Sequence, residues 1–428
     1  MQQKRFYGGW ITLATFVTFG LAVGLPYYNM PFFYDYYTKP VSEGGFGWDR
    51  PSAILGFPLA VLFTLWAGPV LVHRFSPRKL ILGGTLLTAL AFVGFANMTG
   101  DLKIYYACWF LYTMGYILSG PIPHQIIVSQ WYKKRRGFSM GVVYCGIGIF
   151  GSAGSYLVKY LANNYGFQAA LMAIGACVML VWPLAIIVLR DRPADIGQNP
   201  DGEAFPSTDA KTPPRDFGYL LRHPAFWLLV VGSFCSIGSI GAVNFHMKLV
   251  FSDQGFKDQA YLNSIWANAN VLILWSSIAG RLFVGWVADK ISKKLVMTVT
   301  YALVAATIPL LLLVRPEQHH FMYVFAILFG FGMGADYMLI PLMAAEQFGV
   351  NTLGRAMAII LPTDTIGQTW FPYVVARLQQ STGSYGTALT TVFILAVIGA
   401  LAIALLPKAK REDETLYVQD ASRVATRS

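Results

Sequence analysis

The residues of this chain with the chemistry to hold or move a charge are few, and several stand where charge is expensive. Arg281 lies in Ser276-Ser277-Ile278-Ala279-Gly280-Arg281, Asp336 in Gly332-Met333-Gly334-Ala335-Asp336-Tyr337 and Asp364 in Pro362-Thr363-Asp364-Thr365, each inside a long apolar run. Ionisable groups at such positions are rare and mark binding sites or proton relays. A guanidinium cannot shed its charge, so Arg281 requires an anion, either a protein carboxylate or a bound small molecule. Asp336 reads equally as a proton site or as the cap of an interrupted helix. His124 follows Pro121 and Pro123, and reads either as a cavity group or as a donor to backbone the prolines leave free. His246, near the outer end of its run, is a candidate gate residue. Tyr28, with Tyr27 and Asn29, follows Pro26, whose missing N–H distorts a helix. Tyr28 is a candidate cavity wall, the alternative being an aromatic at the lipid interface. Tyr337 is a candidate donor to a carboxylate, or a packing ring.

The elements that must position these groups are set by composition. Of 428 residues, 55% are hydrophobic and only 12% charged, against about 25% charged in soluble domains. The apolar residues fall in runs long enough to cross a bilayer. Twelve spans are expected at 9–36, 52–73, 80–98, 104–130, 137–161, 167–189, 225–250, 260–288, 295–314, 320–344, 355–379 and 386–407. The net charge of +11 sits in short clusters between runs, which argues against nucleic acid as a partner. With the N-terminus inside, 23 of the 32 Lys and Arg fall on the cytoplasmic side, eight on the other and Arg281 within a span. That asymmetry predicts both termini cytoplasmic, in a bacterial inner membrane. Lys4 and Arg5 lead directly into the first span, which acts as its own insertion signal rather than a cleaved leader. The polar stretch 190–224 reads as a cytoplasmic linker between a first half, 1–189, and a second, 225–407, with a cytoplasmic tail at 408–428. Cys108, Cys145, Cys177 and Cys235 read as small packing residues. No P-loop occurs, which argues against ATP as the driving force, and no metal or other cofactor is expected.

Two loops repeat. Pro69-Val-Leu-Val-His73-Arg74-Phe-Ser76-Pro-Arg78-Lys79 follows the second span, and Gly285-Trp-Val-Ala-Asp289-Lys290-Ile-Ser292-Lys293-Lys294 follows the eighth. The second resembles the loop motif of the major facilitator superfamily, whose fold is an all-α membrane protein of twelve transmembrane helices in two pseudo-symmetric six-helix halves. The first departs from it, with Pro69, His73 and Ser76 at the Gly, Asp and Gly positions. The resemblance implies a cytoplasmic charge network that holds the inward-closed state, here Asp289, Lys290, Arg74 and Arg78. It also implies a substrate site at the midplane and alternating access by rocking of the halves.

Tyr7-Gly8-Gly9-Trp10, Phe46-Gly47-Trp48-Asp49-Arg50, Gly120-Pro121 with Trp131-Tyr132-Lys133-Lys134-Arg135-Arg136-Gly137, and Arg190-Asp191-Arg192-Pro193 with Asp201-Gly202 occur in that order. They resemble the monocarboxylate transporter and oxalate–formate antiporter branch. By that resemblance Arg281 matches the span-eight Arg that binds a substrate carboxylate. Asp364 stands where the antiporters carry a Lys, nine residues past a cytoplasmic Arg like Arg355. One cation with one acid suits a monoanion plus a proton. The expectation is therefore a monomeric transporter, in contact with membrane lipid, that carries a small organic anion with protons. Arg281, Tyr28, His124 and Tyr337 would bind the anion, and Asp364 and Asp336 would carry the proton. Anion exchange and drug or sugar transport are the rival transport readings. An enzyme lacks a clustered nucleophile–base or metal set here, and a sensor lacks room for a signalling domain.

Overall fold

The computed structural model describes residues 6–64, 67–72, 74–203 and 214–407. His73, the middle of the linker, the tail and the basic residues Lys4, Arg5, Lys211, Lys408, Lys410, Arg411, Arg423 and Arg427 lie outside the described residues. Among those described there are helices and turns and no strand. Twelve helical spans follow one another: Gly8–Thr38, three pieces from Arg50 to Leu71, Pro77–Asn97, Leu102–Ser119 with Pro121–Trp131, Arg136–Tyr165, Phe167–Met179 with Val181–Ile187, Pro224–Asp253, Gln259–Ala288, Lys293–Thr307 with a 3-10 turn to Leu313, His320–Phe348, Leu353–Thr382 and Tyr385–Ala404. Numbered in that order, they fall where the apolar runs place them.

Nine are long and apolar enough to cross a membrane by length and composition. Two of the other three depart for physical reasons. Span two is described as Arg50–Ile54, Gly56–Thr64 and Ala67–Leu71, with residues 65 and 66 outside the described set. Span four breaks at Gly120, where two prolines within three residues remove two N–H donors. Span eleven is continuous but carries Thr363, Asp364, Thr365, Gln368 and Thr369 in its middle. Span one is distorted, as Pro26 predicts, but the distortion lies one turn earlier. A π-helical turn at Gly20–Gly24 widens the helix just before the proline ring, the usual way of relieving a clash with the carbonyl four residues back.

Packing repeats along the chain. Spans one and five, two and four, three and four, and three and six are neighbours. So are seven and eleven, eight and ten, nine and ten, and nine and twelve. Spans five and eight meet where the first six helices face the last six, and span eleven meets pieces of spans two and four. Lipid tails are as apolar as these helix faces, so close approach through small residues must hold them together. Spans eight and ten show this: Gly280 lies against the Phe331 carbonyl and Gly334 against that of Ser277, with no room for a Cβ at either. That contact fixes the heights of Arg281 and Asp336, one and two residues away.

Both described stretches of the linker are fastened down. The Asp201 carboxylate accepts from the backbone N–H groups of Lys133 and Lys134 at 2.8 and 2.7 Å, and Lys134 pairs with Glu203 at 2.8 Å. Gln198 accepts from Tyr7 N–H at 3.0 Å. On the far side of 204–213, Arg215 N–H donates to Thr352 at 3.0 Å and Arg355 donates to the Arg215 carbonyl at 2.6 Å. Asp201 holds φ at +56°, a left-handed conformation that Asp, Asn and Gly tolerate best. We expect Asp201→Ala to destabilise the protein most among substitutions here, by about 1 kcal/mol. It loses the shared acceptor and adds backbone strain, whereas Asn keeps both an acceptor and the conformation. Thermal unfolding in detergent checks the order Asp, Asn, Gly, Ala.

Candidate functional site

Arg281 is 6% exposed, two turns from the linker-side end of span eight. Its carbonyl lies against Gly141 of span five, and its Nη1 stands 3.4 Å from where a Cβ on Gly148 of the same helix would be. Small residues on span five thus let the Arg281 backbone and head group sit directly against it. Tyr144 and Cys145 of the same helix lie within electrostatic reach of the guanidinium. Arg281 Nε and Nη1 are buried and bond to no atom. Neither Asp336 nor Asp364 forms a salt bridge with it. A permanent Arg–Asp tie between helices is therefore absent among the described residues.

The two acids are held elsewhere. The Ser233 hydroxyl bonds Asp364 Oδ1 at 2.6 Å, and that of Ser236 bonds Asp336 Oδ2 at 2.5 Å. Ser233 and Ser236 are one turn apart on span seven, so this helix presents a pair of hydroxyls to carboxyls arriving from spans eleven and ten. The other oxygens, Asp364 Oδ2 and Asp336 Oδ1, are buried without a hydrogen bond. Tyr301 stands beside Asp336 without reaching hydrogen-bonding geometry. Asp336 is not a helix cap, because span ten runs unbroken from His320 to Phe348. Sequence reasoning missed the serines. The spacing Ser233-Phe-Cys-Ser236-Ile-Gly-Ser239 inside an apolar run was their only signal.

The histidines are committed to protein atoms. His124 is fully buried, with Nδ1 2.8 Å from the Gly120 carbonyl and Nε2 2.9 Å from the Thr18 hydroxyl. Its ring stacks on Phe19 at 4.7 Å. A carbonyl only accepts, so Nδ1 carries the proton and donates, and Nε2 takes the Thr18 proton. No ring atom is left for a ligand in this arrangement. His124 instead satisfies backbone at the break in span four. His246 meets the Pro372 carbonyl at 2.8 Å and the Tyr385 hydroxyl at 3.2 Å, tying span seven to spans eleven and twelve.

Tyr28 and Tyr337 fall in one aromatic group. Tyr27, Tyr28 and Tyr116 from the first six spans and Tyr337 from span ten lie within electrostatic reach of one another. Tyr28 is 52% exposed, beside the less exposed Tyr27.

At the linker end the six-helix sets are joined. Asp289 accepts from Gly137 N–H at 2.6 Å and Phe138 N–H at 2.9 Å, the unsatisfied donors at the start of span five. Burial pushes the Asp289 carboxyl up from its ordinary value, against those two bonds and the nearby charges of Lys293 and Arg136, which pull it down. Gln130 donates to Asn351 at 3.1 Å close by. The basic residues act differently from a shared charge network. Lys290 sits over the Trp286 ring at 3.6 Å. Arg78 ties span three to span six through the carbonyls of Ala185 and Ile186, at 2.8 and 2.5 Å. Arg74 is exposed. Asp289 therefore caps a helix, with Lys293 and Arg136 near enough to act on its charge.

Comparison with known proteins agrees with this architecture. The profile described as Major Facilitator Superfamily matches residues 11–274 and 266–425. A fujikurins efflux protein of Gibberella fujikuroi is 24% identical over 390 residues, covering 88% of this chain and 77% of that protein. Monocarboxylate transporter 13 of Bos taurus is 22% identical over 405 residues, covering 92% and 89%. Among solved structures, the E. coli fucose:proton symporter superposes with a TM-score of 0.69 at 14% identity, over 94% of this chain and all of that one. The human organic anion transporter MFSD10 does so with 0.68 at 13%, over the same shares.

Asp289→Ala removes the acceptor for two N–H groups. Hydrogen exchange at the start of span five, residues 137–140, should speed up in that variant by about tenfold or more. Unchanged protection there would show that Asp289 does not hold the two helices together.

Proposed function

The chain belongs to the Major Facilitator Superfamily, and from that premise we propose that it is a proton-coupled carrier of small organic monoanions. Its relatives are transporters rather than enzymes, so transport itself is not at issue. The observation that carries the anion reading is the Arg281 guanidinium, buried without a carboxylate partner. A buried uncompensated charge costs several kcal/mol. A ligand carboxylate that pairs with Nε and Nη1 would remove that penalty, and Arg suits the bidentate geometry. Monocarboxylate transporters among the relatives favour the same class of cargo.

Proton coupling is assigned to Asp364, with Asp336 as a second carrier. Both are enclosed, both rest on a single serine hydroxyl, and both are near enough to feel each other's charge. A carboxyl in that setting holds a proton readily and yields it when a charge is rearranged nearby. Span eleven, which bears Asp364, also touches the first six spans, so rocking the halves changes its surroundings. In this scheme residues 1–189 and 225–407 are the moving halves, Asp289 latches the closed linker end, and both termini are cytoplasmic by the Lys and Arg count. The relatives named above are fungal and mammalian, which gives the bacterial membrane expected from sequence no support. Anion exchange is the second reading. It would need no titrating acid, whereas two enclosed carboxyls stand beside the path.

Small carboxylic acids should raise the unfolding temperature of the wild type and not of Arg281→Gln; equal shifts in both would remove Arg281 from the binding role. In proteoliposomes, an inwardly directed proton gradient should accelerate uptake of such an acid severalfold. Asp364→Asn should abolish that acceleration, and uptake indifferent to the gradient in the wild type would refute the coupling.

A further inference from the structure

We propose that the cargo enters from the side opposite the linker, through a cleft between spans five and eight, and that Ser155 and Ala267 close this cleft behind it. The inference rests on the anion reading above only for the nature of the guest. Spans five and eight meet along one antiparallel register. Gly137 lies against the Gly285 carbonyl and Gly285 against that of Gly137, and Gly141 lies against the Arg281 carbonyl, with no room for a Cβ at any of the three. Two turns further on, contact between the two backbones is gone. A Cβ on Gly148 would meet only side-chain tips of span eight, Arg281 Nη1 at 3.4 Å and Leu274 Cδ1 at 3.6 Å. Span five meanwhile stays on span one: Gly24 lies against the Ile147 carbonyl, and Asn29 donates to the Gly151 carbonyl at 3.1 Å. Spans five and eight are thus joined at the linker end and part at the level of the Arg281 head group.

The residues that continue the register on each wall are uncovered. At about 100° per residue, Ser155 and Lys159 fall within roughly 20° of Gly148 on span five, and both are exposed. The face that bears the exposed Ile149, Ala153, Tyr156 and Tyr160 lies roughly 80° or more away and suits lipid. On span eight the register runs on through Asn270 and Ala267, opposite Ser152 and Ser155, and both are exposed too. A lysine and an amide inside apolar spans are costly against hydrocarbon and belong beside a water-filled cavity. Ser155 stands about 10 Å beyond Gly148 along the helix. It and Ala267 are small, as residues must be where membrane helices approach closely, yet neither is covered. Rocking of the halves would bring them together as Gly141 and Arg281 are now. Lys159, one turn beyond Ser155, sets a positive charge at the mouth, which favours entry of an anion.

The test introduces Ser155→Cys and Ala267→Cys, singly and together, into the full chain in intact cells, probed from outside with a membrane-impermeant sulfonated maleimide. Each single variant should be labelled at least about tenfold faster than the interior cysteines of the parent chain, whose reaction requires local opening. In the double variant a mild oxidant should abolish labelling as a disulfide closes the cleft, and a reductant should restore it. Labelling of either single variant no faster than the parent would overturn the cleft. Rapid labelling of both, with no reductant-reversible loss in the double variant, would overturn closure by these two residues. Neither readout needs a cargo. If both succeed while small acids shift the unfolding of wild type and Arg281→Gln alike, the entry path stands and the anion reading falls.

Discussion

An enclosed guanidinium with no carboxylate beside it is the constraint on which the rest of this structure depends. Its charge cannot be titrated away, and inside an apolar span a guanidinium costs up to about 3 kcal/mol on the translocon scale. The fold tolerates Arg281 because small residues on span five let the helices close around it, and because its head group faces the region where the six-helix sets part. In a protein selected only for stability such a group would be replaced or paired. Left unpaired, it makes the empty site poorer in energy than the filled one, which is what a binding site for an anion needs.

The acids complete the logic by staying away. Had Asp364 or Asp336 paired with Arg281, a carboxylate ligand would have to displace a protein carboxylate. The serines of span seven hold both acids on the second half instead. Binding and proton carriage are thereby assigned to different groups, linked through the helices that bear them. At the linker end, Asp289 on span eight caps span five. The helix that carries Arg281 is thus bonded to the helix that carries Gly148, and the height of the site and the closure of that end are set by one pair of spans.

Much of this was legible in the sequence. Long apolar runs fix spans, because nothing else can satisfy backbone groups in lipid, and all twelve appear. The paired loops and the charge left at Arg281 pointed to a two-part transporter. What sequence could not give was partnership. Asp289 was expected among basic side chains; Lys293 and Arg136 act on it, but its hydrogen bonds go to backbone N–H groups of span five, a contact set by which helix ends arrive together. For His124 the sequence left a cavity role and a backbone role open, and the break at Gly120 supplies a carbonyl that claims its proton. Ser233 and Ser236 had no role in the sequence reading, and only the arrival of acids from spans ten and eleven gives them one. Each miss concerns what one helix face meets on another, which periodicity along a single chain does not encode.

The most direct measurement is counterflow of a labelled carboxylate into proteoliposomes preloaded with the same acid, for wild type, Arg281→Gln and Arg281→Lys. Counterflow needs only binding and reorientation, so it isolates Arg281 from the proton step. The account predicts rapid exchange by the wild type, no exchange above empty liposomes for Arg281→Gln, and partial exchange for Arg281→Lys, which keeps the charge without the bidentate fork. Wild-type rates in a folded Arg281→Gln protein would contradict it.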